Sequence, residues 1–391
     1  MEIPDDTSGM MTCAEILTPM VAFDTVNGSI SHKTEPEREL AIYLESLGSS
    51  WGLASRRCPV PSGGFNLFLS CEVSADAPWL LFDSHLDTVS TEGMVIDPLQ
   101  ALCKDGRVYG RGACDTKGSG AAMLWALREY SECKERRLNV GLLFSVDEEA
   151  GMTGAEAFTC GELCELRARS RVLGIIVGEP TGLRPVVAHG GLVRGKIVSR
   201  GIATHSSDPS KGKSAISLMM RLIEAMETGY FPGIKASHPL AGRAVGSINV
   251  IRGGSQVNII PDFCEVEFDR RVMPGECSKN VLREMESVVS HFSEASGDAI
   301  RIESPFTLEP MDSETQGDLK ERVCAMLCAR GCDATPQGAP WATNASHYGT
   351  LLPAVVLGPG DIAQAHTKDE WIALSQLDLA GRLYLDLMLR G

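Results

Sequence analysis

Histidines and carboxylates in this sequence collect immediately after apolar runs. Leu80, Leu81 and Phe82 lead into Asp83, His85 and Asp87 in "LLFDSHLDTVS". Asp115 stands in "GRGACDTKG". Asp147, Glu148 and Glu149 follow "LNVGLLFSV", Glu179 follows "RVLGIIVG", and far downstream His366 lies in "AQAHTKDEW". Carboxylates gathered in one place repel, and withdrawal from water makes the repulsion worse. Lys117 could offset part of it, but a divalent metal is the simpler answer. Two histidines with three carboxylates make a nitrogen and oxygen donor set that suits Zn²⁺, with Mn²⁺ or Co²⁺ as substitutes. Five donors are too many for one tetrahedral ion with an open position. They fit two ions sharing a carboxylate, roughly 3.5–4 Å apart.

Each piece alone is ordinary. A His-x-Asp is most often a hydrogen-bonded loop pair. An Asp-Glu-Glu run is usually a solvated helix N-terminus, favoured by the helix dipole. Gly-Glu-Pro is usually a turn, and "GRGACDTKG" reads as a turn with a helix cap. The weight comes from their order along the chain, each at the end of an expected strand.

The elements that must position them follow from periodicity. Continuous apolar runs at 79–83, 138–146 and 171–178 read as buried strands. Helical spacing covers 116–135, and 153–170 opens with a capping-box pattern, Thr153 with Glu156. Buried strands alternating with helices imply a largely parallel sheet covered on both faces, and such sheets bind ligands at the carboxyl ends of their strands. From about 190 the pattern changes. Alternating strands at 192–201, 245–254, 263–272 and 298–304 and helices at 214–226 and 278–293 give the order β-α-β-β-α-β, a ferredoxin-like insert, with Ser214 as an N-cap. After about 305 the α/β pattern returns. The expected organisation is therefore an α/β domain of 1–189 and 305–391, interrupted by a smaller α+β domain of 190–304.

The totals bound the function. A chain of 391 residues exceeds one ordinary core. A net charge of −15 argues against a nucleic-acid partner and an anionic membrane surface. No apolar run reaches the ~18–20 residues that span a bilayer. The N-terminus lacks the basic and apolar regions of a secretory signal, and thirteen cysteines at irregular spacing read as reduced thiols, so a cytoplasmic location is expected.

Eight motifs in order, "SHLDTV", "GRGACDTKG", "SVDEEAG", "VGEPTG", "GIATHSSDP", "VNIIPD", "DRRVMPG" and "GPGDIAQAHTKDE", make the sequence resemble a family. It is the M20-type co-catalytic metallopeptidase and deacylase family of acetylornithine deacetylase, succinyl-diaminopimelate desuccinylase, aminoacylase-1 and glutamate carboxypeptidase. "GEPTGLRPVVAHGG" and "VLGPGDIAQAH" look most like the acetylornithine deacetylase branch.

The resemblance implies a zinc-peptidase-like catalytic domain with an inserted lid that mediates a homodimer. It implies two zinc ions, one on His85 and Glu179, the other on Glu149 and His366, bridged by Asp115. Asp87 would hydrogen-bond the His85 ring, and Glu148 would be the general base. His205 would complete oxyanion stabilisation, often from the neighbouring subunit, and Arg271 and Asn258 would bind substrate. The implied activity is hydrolysis of an N-acyl amino acid or short peptide. N-acetylornithine comes first. The alternatives are a desuccinylase, a carboxypeptidase, or a catalytically silent binding protein on the same fold. Asn344 stands in "WATNASHYG", where the family often carries an acidic residue, in a segment expected to shape the substrate pocket.

Overall fold

The computed structural model describes residues 11–296, 299–313 and 317–390. They divide into two compact units. One comprises the chain up to Val187 with Ser313–Gln337 and from Thr343 onward; the other comprises Ala188–Asp312 with Gly338–Ala342. The sequence placed the return to the first unit at about 305. Residues 1–10 of the N-terminal stretch read for targeting (1–20) and the expected start of a strand at Asp298 lie outside the described residues.

The first unit is built on a sheet whose centre is the strand Trp79–His85. It pairs in parallel with Asn139–Ser145 on one side and Val172–Val177 on the other. Ala354–Val356 adds a further parallel strand beside Val172–Val177. The flanks are antiparallel: Phe65–Cys71 against Asn139–Ser145, Ala54–Pro59 against Phe65–Cys71, and Val186 against Val356. The sheet is thus mixed, not largely parallel as the sequence suggested. The reason is local. Ala54–Pro59 and Phe65–Cys71 are joined by a short turn through Gly63 and Gly64, which forces a hairpin.

The central strands are buried along their whole length. Phe82 and Phe144 are fully enclosed, each contributing about 1.5–3 kcal/mol of burial. The helix Lys117–Glu132 lies against this sheet with small residues inward. A Cβ at Gly120 would stand 2.9 Å from both a Phe144 ring carbon and the Ser84 hydroxyl, so only glycine allows that approach. The helix Leu374–Arg390 packs beside it, and its Tyr384 donates to Leu357 O at 2.8 Å.

The second unit holds a four-stranded antiparallel sheet in the order Gly246–Gly253, Phe263–Val272, Gly191–Arg200, Ala299–Leu308. The helices Ala215–Ala225 and Ser278–Ser296 connect these strands in a β-α-β-β-α-β order and share one apolar cluster with them. Ser214 caps the first helix by accepting from Ser217 N. Along Phe263–Val272 burial alternates residue by residue, as the sequence pattern required. Among the described residues no helix is long and apolar enough to cross a membrane.

Candidate metal centre

The carboxyl ends of the parallel strands carry the ionisable residues. Trp79–His85 ends in His85, which is 2% exposed. Asn139–Ser145 runs into Glu148 and Glu149, and Val172–Val177 into the buried Glu179. Asp115 comes from the loop before Lys117–Glu132, and His366 from the segment before the strand Trp371–Ala373. The Asp115–Thr116 peptide is cis.

Ligating atoms of His85, Asp115 and Glu149 all lie within 4.8 Å of one another. Asp115 uses its two oxygens separately. Oδ1 is 3.2 Å from His85 Nε2, and Oδ2 is 3.2 Å from His366 Nε2. The same His366 nitrogen is 3.2 Å from Glu149 Oε1. Donors bound about 2.0–2.1 Å from one tetrahedral ion lie roughly 3.3 Å apart, so these spacings suit shared ions.

The His85 tautomer makes the same point. Nδ1 is 2.9 Å from the Asp87 carbonyl, which can only accept, so Nδ1 carries the hydrogen. In the neutral ring, the Nε2 lone pair then faces a carboxylate oxygen. Two acceptors in contact need a proton or a cation between them.

The charges express the same tension in the metal-free protein. Burial pushes the Glu148 carboxyl well above the ordinary range, with Glu149 and Asp87 adding to it. Burial, then Asp115, does the same to Glu179. Burial resists ionisation of Asp115, yet His366 and His85 hold it well below the usual range. Asp115 and Glu149 raise His366 to about 10. A divalent cation would relieve this crowding, and the donor set fits Zn²⁺.

Asp87 meets the His85 ring twice, its carbonyl 2.9 Å and its Oδ1 3.4 Å from Nδ1. The carboxylate also accepts the main-chain N–H groups of Glu148 and Glu149, both at 3.0 Å. Asn27 Nδ2 donates to Asp87 at 2.8 Å and to Asp147 at 3.0 Å. Asn27 is brought there by a bridge between Val26 and Thr88. Thr153 donates to Asp147 at 2.7 Å, and Met152 occupies the N-cap position, so the expected Thr153–Glu156 capping box does not form.

Sequence reasoning missed Asn27 and Glu370, and it named Asp83 without giving it a role. Glu370 is fully buried and paired with Arg111 at 2.6 Å. It lay in view in "HTKDEW", disguised as part of a solvated charge run. Asp83 is also buried and accepts from Ser145, Asn344 and Tyr348. Asn344, 1% exposed, is thus a strut beneath the strand that carries His85, where the sequence suggested pocket lining.

The remaining expected residues belong to the second unit. His205 is exposed, its Nδ1 2.7 Å from Ser207 Oγ, on a short strand paired with Ile259–Ile260. Asn258 is exposed beside it, its carbonyl accepting from Ser206 N. Arg271 is held by Asp269 at 2.8 Å, while its neighbour Arg270 turns inward to Glu276.

Nitrogen and oxygen donors at the carboxyl edge of an α/β sheet, all but His366 largely buried, with a half-buried acid beside them, suit a metal-dependent hydrolase. The model of peptidase family M20/M25/M40 matches residues 81–390, and the chain belongs to that family. The chain is similar in fold to a tripeptidase from Staphylococcus aureus, at 20% identity and TM-score 0.74, covering 98% of this chain and 100% of that one. An aminopeptidase from Bacillus cereus matches at 21% identity and TM-score 0.73, with the same coverage. A metallo-carboxypeptidase of the M20 family from Sulfolobus solfataricus matches at 17% identity and TM-score 0.76, again over 98% and 100%.

Proposed function

We propose that the protein hydrolyses the amide bond of an N-acyl amino acid, N-acetylornithine first, using a pair of zinc ions. The observation that carries this reading is the division of Asp115, one oxygen toward His85 and the other toward His366. His85 and Glu179 would hold one ion, Glu149 and His366 the other, with Asp115 between them; Co²⁺ or Mn²⁺ could substitute. The cluster of His85, Asp115 and Glu149 could also serve a single ion, and metal counting separates the two. Bound there, the ions would activate water and polarise the substrate carbonyl.

The chain's own residues do the rest. Glu148 is fixed through its main chain by Asp87, and its carboxylate would serve as the base. It takes the proton of the attacking water and returns it to the leaving amine. The family resemblance assigns oxyanion stabilisation to His205. It assigns substrate binding to Arg271 and Asn258, and a guanidinium can grip a substrate carboxylate with two parallel bonds.

The β-α-β-β-α-β order of the second unit supports the ferredoxin-like lid. Gly246–Gly253 is an edge strand, and Val245, Ile251 and the helical Met220 are exposed nearby, at 56%, 54% and 60%. Edge pairing of two copies would cover them, which supports a homodimer through this unit. The acidic chain disfavours nucleic acid and membrane partners, and its free cysteines suit the cytoplasm.

The peptidases among the similar structures favour a second reading in which the scissile bond is a terminal peptide bond. Zinc-loaded protein assayed side by side on N-acetylornithine, N-succinyl-diaminopimelate, other N-acyl amino acids and short peptides decides between them. N-acetylornithine is expected to give the highest kcat/KM. Two bound zincs without turnover of any of these would favour the silent binding protein.

A further inference from the structure

We propose that Glu370 is a positioning residue that clips the loop carrying Asp115 to the segment carrying His366, and so sets the spacing on which the metal centre depends. This rests on the metal centre proposed above. Glu370 stands four residues after His366 and immediately before the strand Trp371–Ala373, which pairs with Arg107–Tyr109 at the start of the Asp115 loop. Its main-chain carbonyl accepts from Gly110 N at 3.0 Å.

The side chain closes the clip. Oε1 accepts two consecutive main-chain N–H groups, Cys114 at 2.9 Å and Asp115 at 3.0 Å. Oε2 takes the Arg111 guanidinium at 2.6 Å, and Arg111 turns its other N–H groups to Ser90 O at 3.1 and 2.9 Å. Glu370 is fully buried and Arg111 is 4% exposed, so water cannot replace Glu370 as acceptor for those amides. One carboxylate therefore fixes the backbone of Asp115 from the very segment that presents His366, and Asp115 Oδ2 and His366 Nε2 meet at 3.2 Å. Removing the acceptor frees the loop to rotate its N–H groups elsewhere. Partners that hold ligands in place typically change metal affinity by about 10–100-fold when lost.

Two double variants of the full chain separate positioning from the ion pair. Glu370→Gln with Arg111→Met keeps an oxygen acceptor and leaves no stranded charge. Glu370→Leu with Arg111→Met keeps the bulk and removes the acceptor. Folding is checked by circular dichroism, and zinc affinity is read by competition with a chromophoric chelator.

The glutamine variant is expected to bind zinc within about threefold of wild type, and the leucine variant about 10–100-fold more weakly. Equal affinity in the two folded variants would overturn the proposal. If the leucine variant does not fold, a folded glutamine variant that loses tenfold or more would still overturn it, and one that holds its zinc supports it. Wild-type protein that takes up no zinc would overturn the metal centre itself, and this inference with it.

Discussion

Asp87 Oδ2 accepts the main-chain amide of Glu149 at 3.0 Å, across 62 residues of chain. Its other oxygen takes the amide of Glu148. A single carboxylate thus sets the backbone of both a proposed ligand and the proposed base, while its own carbonyl orients the His85 ring. His85 and Asp87 leave the same strand end, so strand register is converted into the placement of two acids from the neighbouring strand.

Replacing Asp87 by Asn turns one acceptor into a donor and leaves at least one of these amides unpaired. The cost is about 1–3 kcal/mol of stability, and kcat is expected to fall by one to two orders of magnitude. Chemical denaturation and steady-state kinetics check this. Unchanged kcat would show that the Asp87 carboxylate does not place the two glutamates.

Glu148→Gln is expected to retain its metal and lose turnover by several orders of magnitude, because base and ligand roles sit on different residues. Metal analysis beside kinetics reads both. Loss of one metal equivalent from this variant would mean that Glu148 and Glu149 exchange the roles proposed for them.

His205→Ala is expected to cripple turnover with the metal still bound. If His205 acts across a dimer, mixing this variant with Glu148→Gln under demonstrated subunit exchange restores part of the activity. No rescue in verified heterodimers would count against a shared site.

His189, in the second unit, is fully buried, and burial lowers its pKa to about 4 from an ordinary 6.5. The folded state therefore binds this proton less readily than the unfolded chain. Its contribution is complete above pH 6.5 and is lost as pH falls toward about 4, by on the order of 3 kcal/mol. The unfolding free energy of wild type should fall more steeply between pH 7 and pH 4.5 than that of His189→Phe. Parallel pH curves would place the proton elsewhere.

The sequence showed the strands and their terminal acids because apolar runs broken by His, Asp and Glu leave a mark in one dimension. His85, Glu149 and Glu179 could be singled out in that way, whereas Asp115 and His366 follow no apolar run and stood out only within their motifs. The antiparallel flank was harder to see, since Phe65–Cys71 is interrupted by Asn66 and Ser70 and yet is buried along its whole length, as a parallel strand would be. Asn27 and Glu370 carry no periodic mark at all, and Asp83 breaks an apolar run without any sign of what it would hold. Their function lies in hydrogen bonds to residues 60, 261 and 255 positions away, which only the folded chain brings within reach.

The most direct measurement is anomalous scattering at the zinc edge from crystals of the zinc-loaded protein. Two peaks are expected, about 3.5–4 Å apart, one between Asp115 Oδ1 and His85 and the other between Asp115 Oδ2 and His366. A single peak, or none with the two histidines still in direct contact with Asp115, would contradict the paired-ion centre.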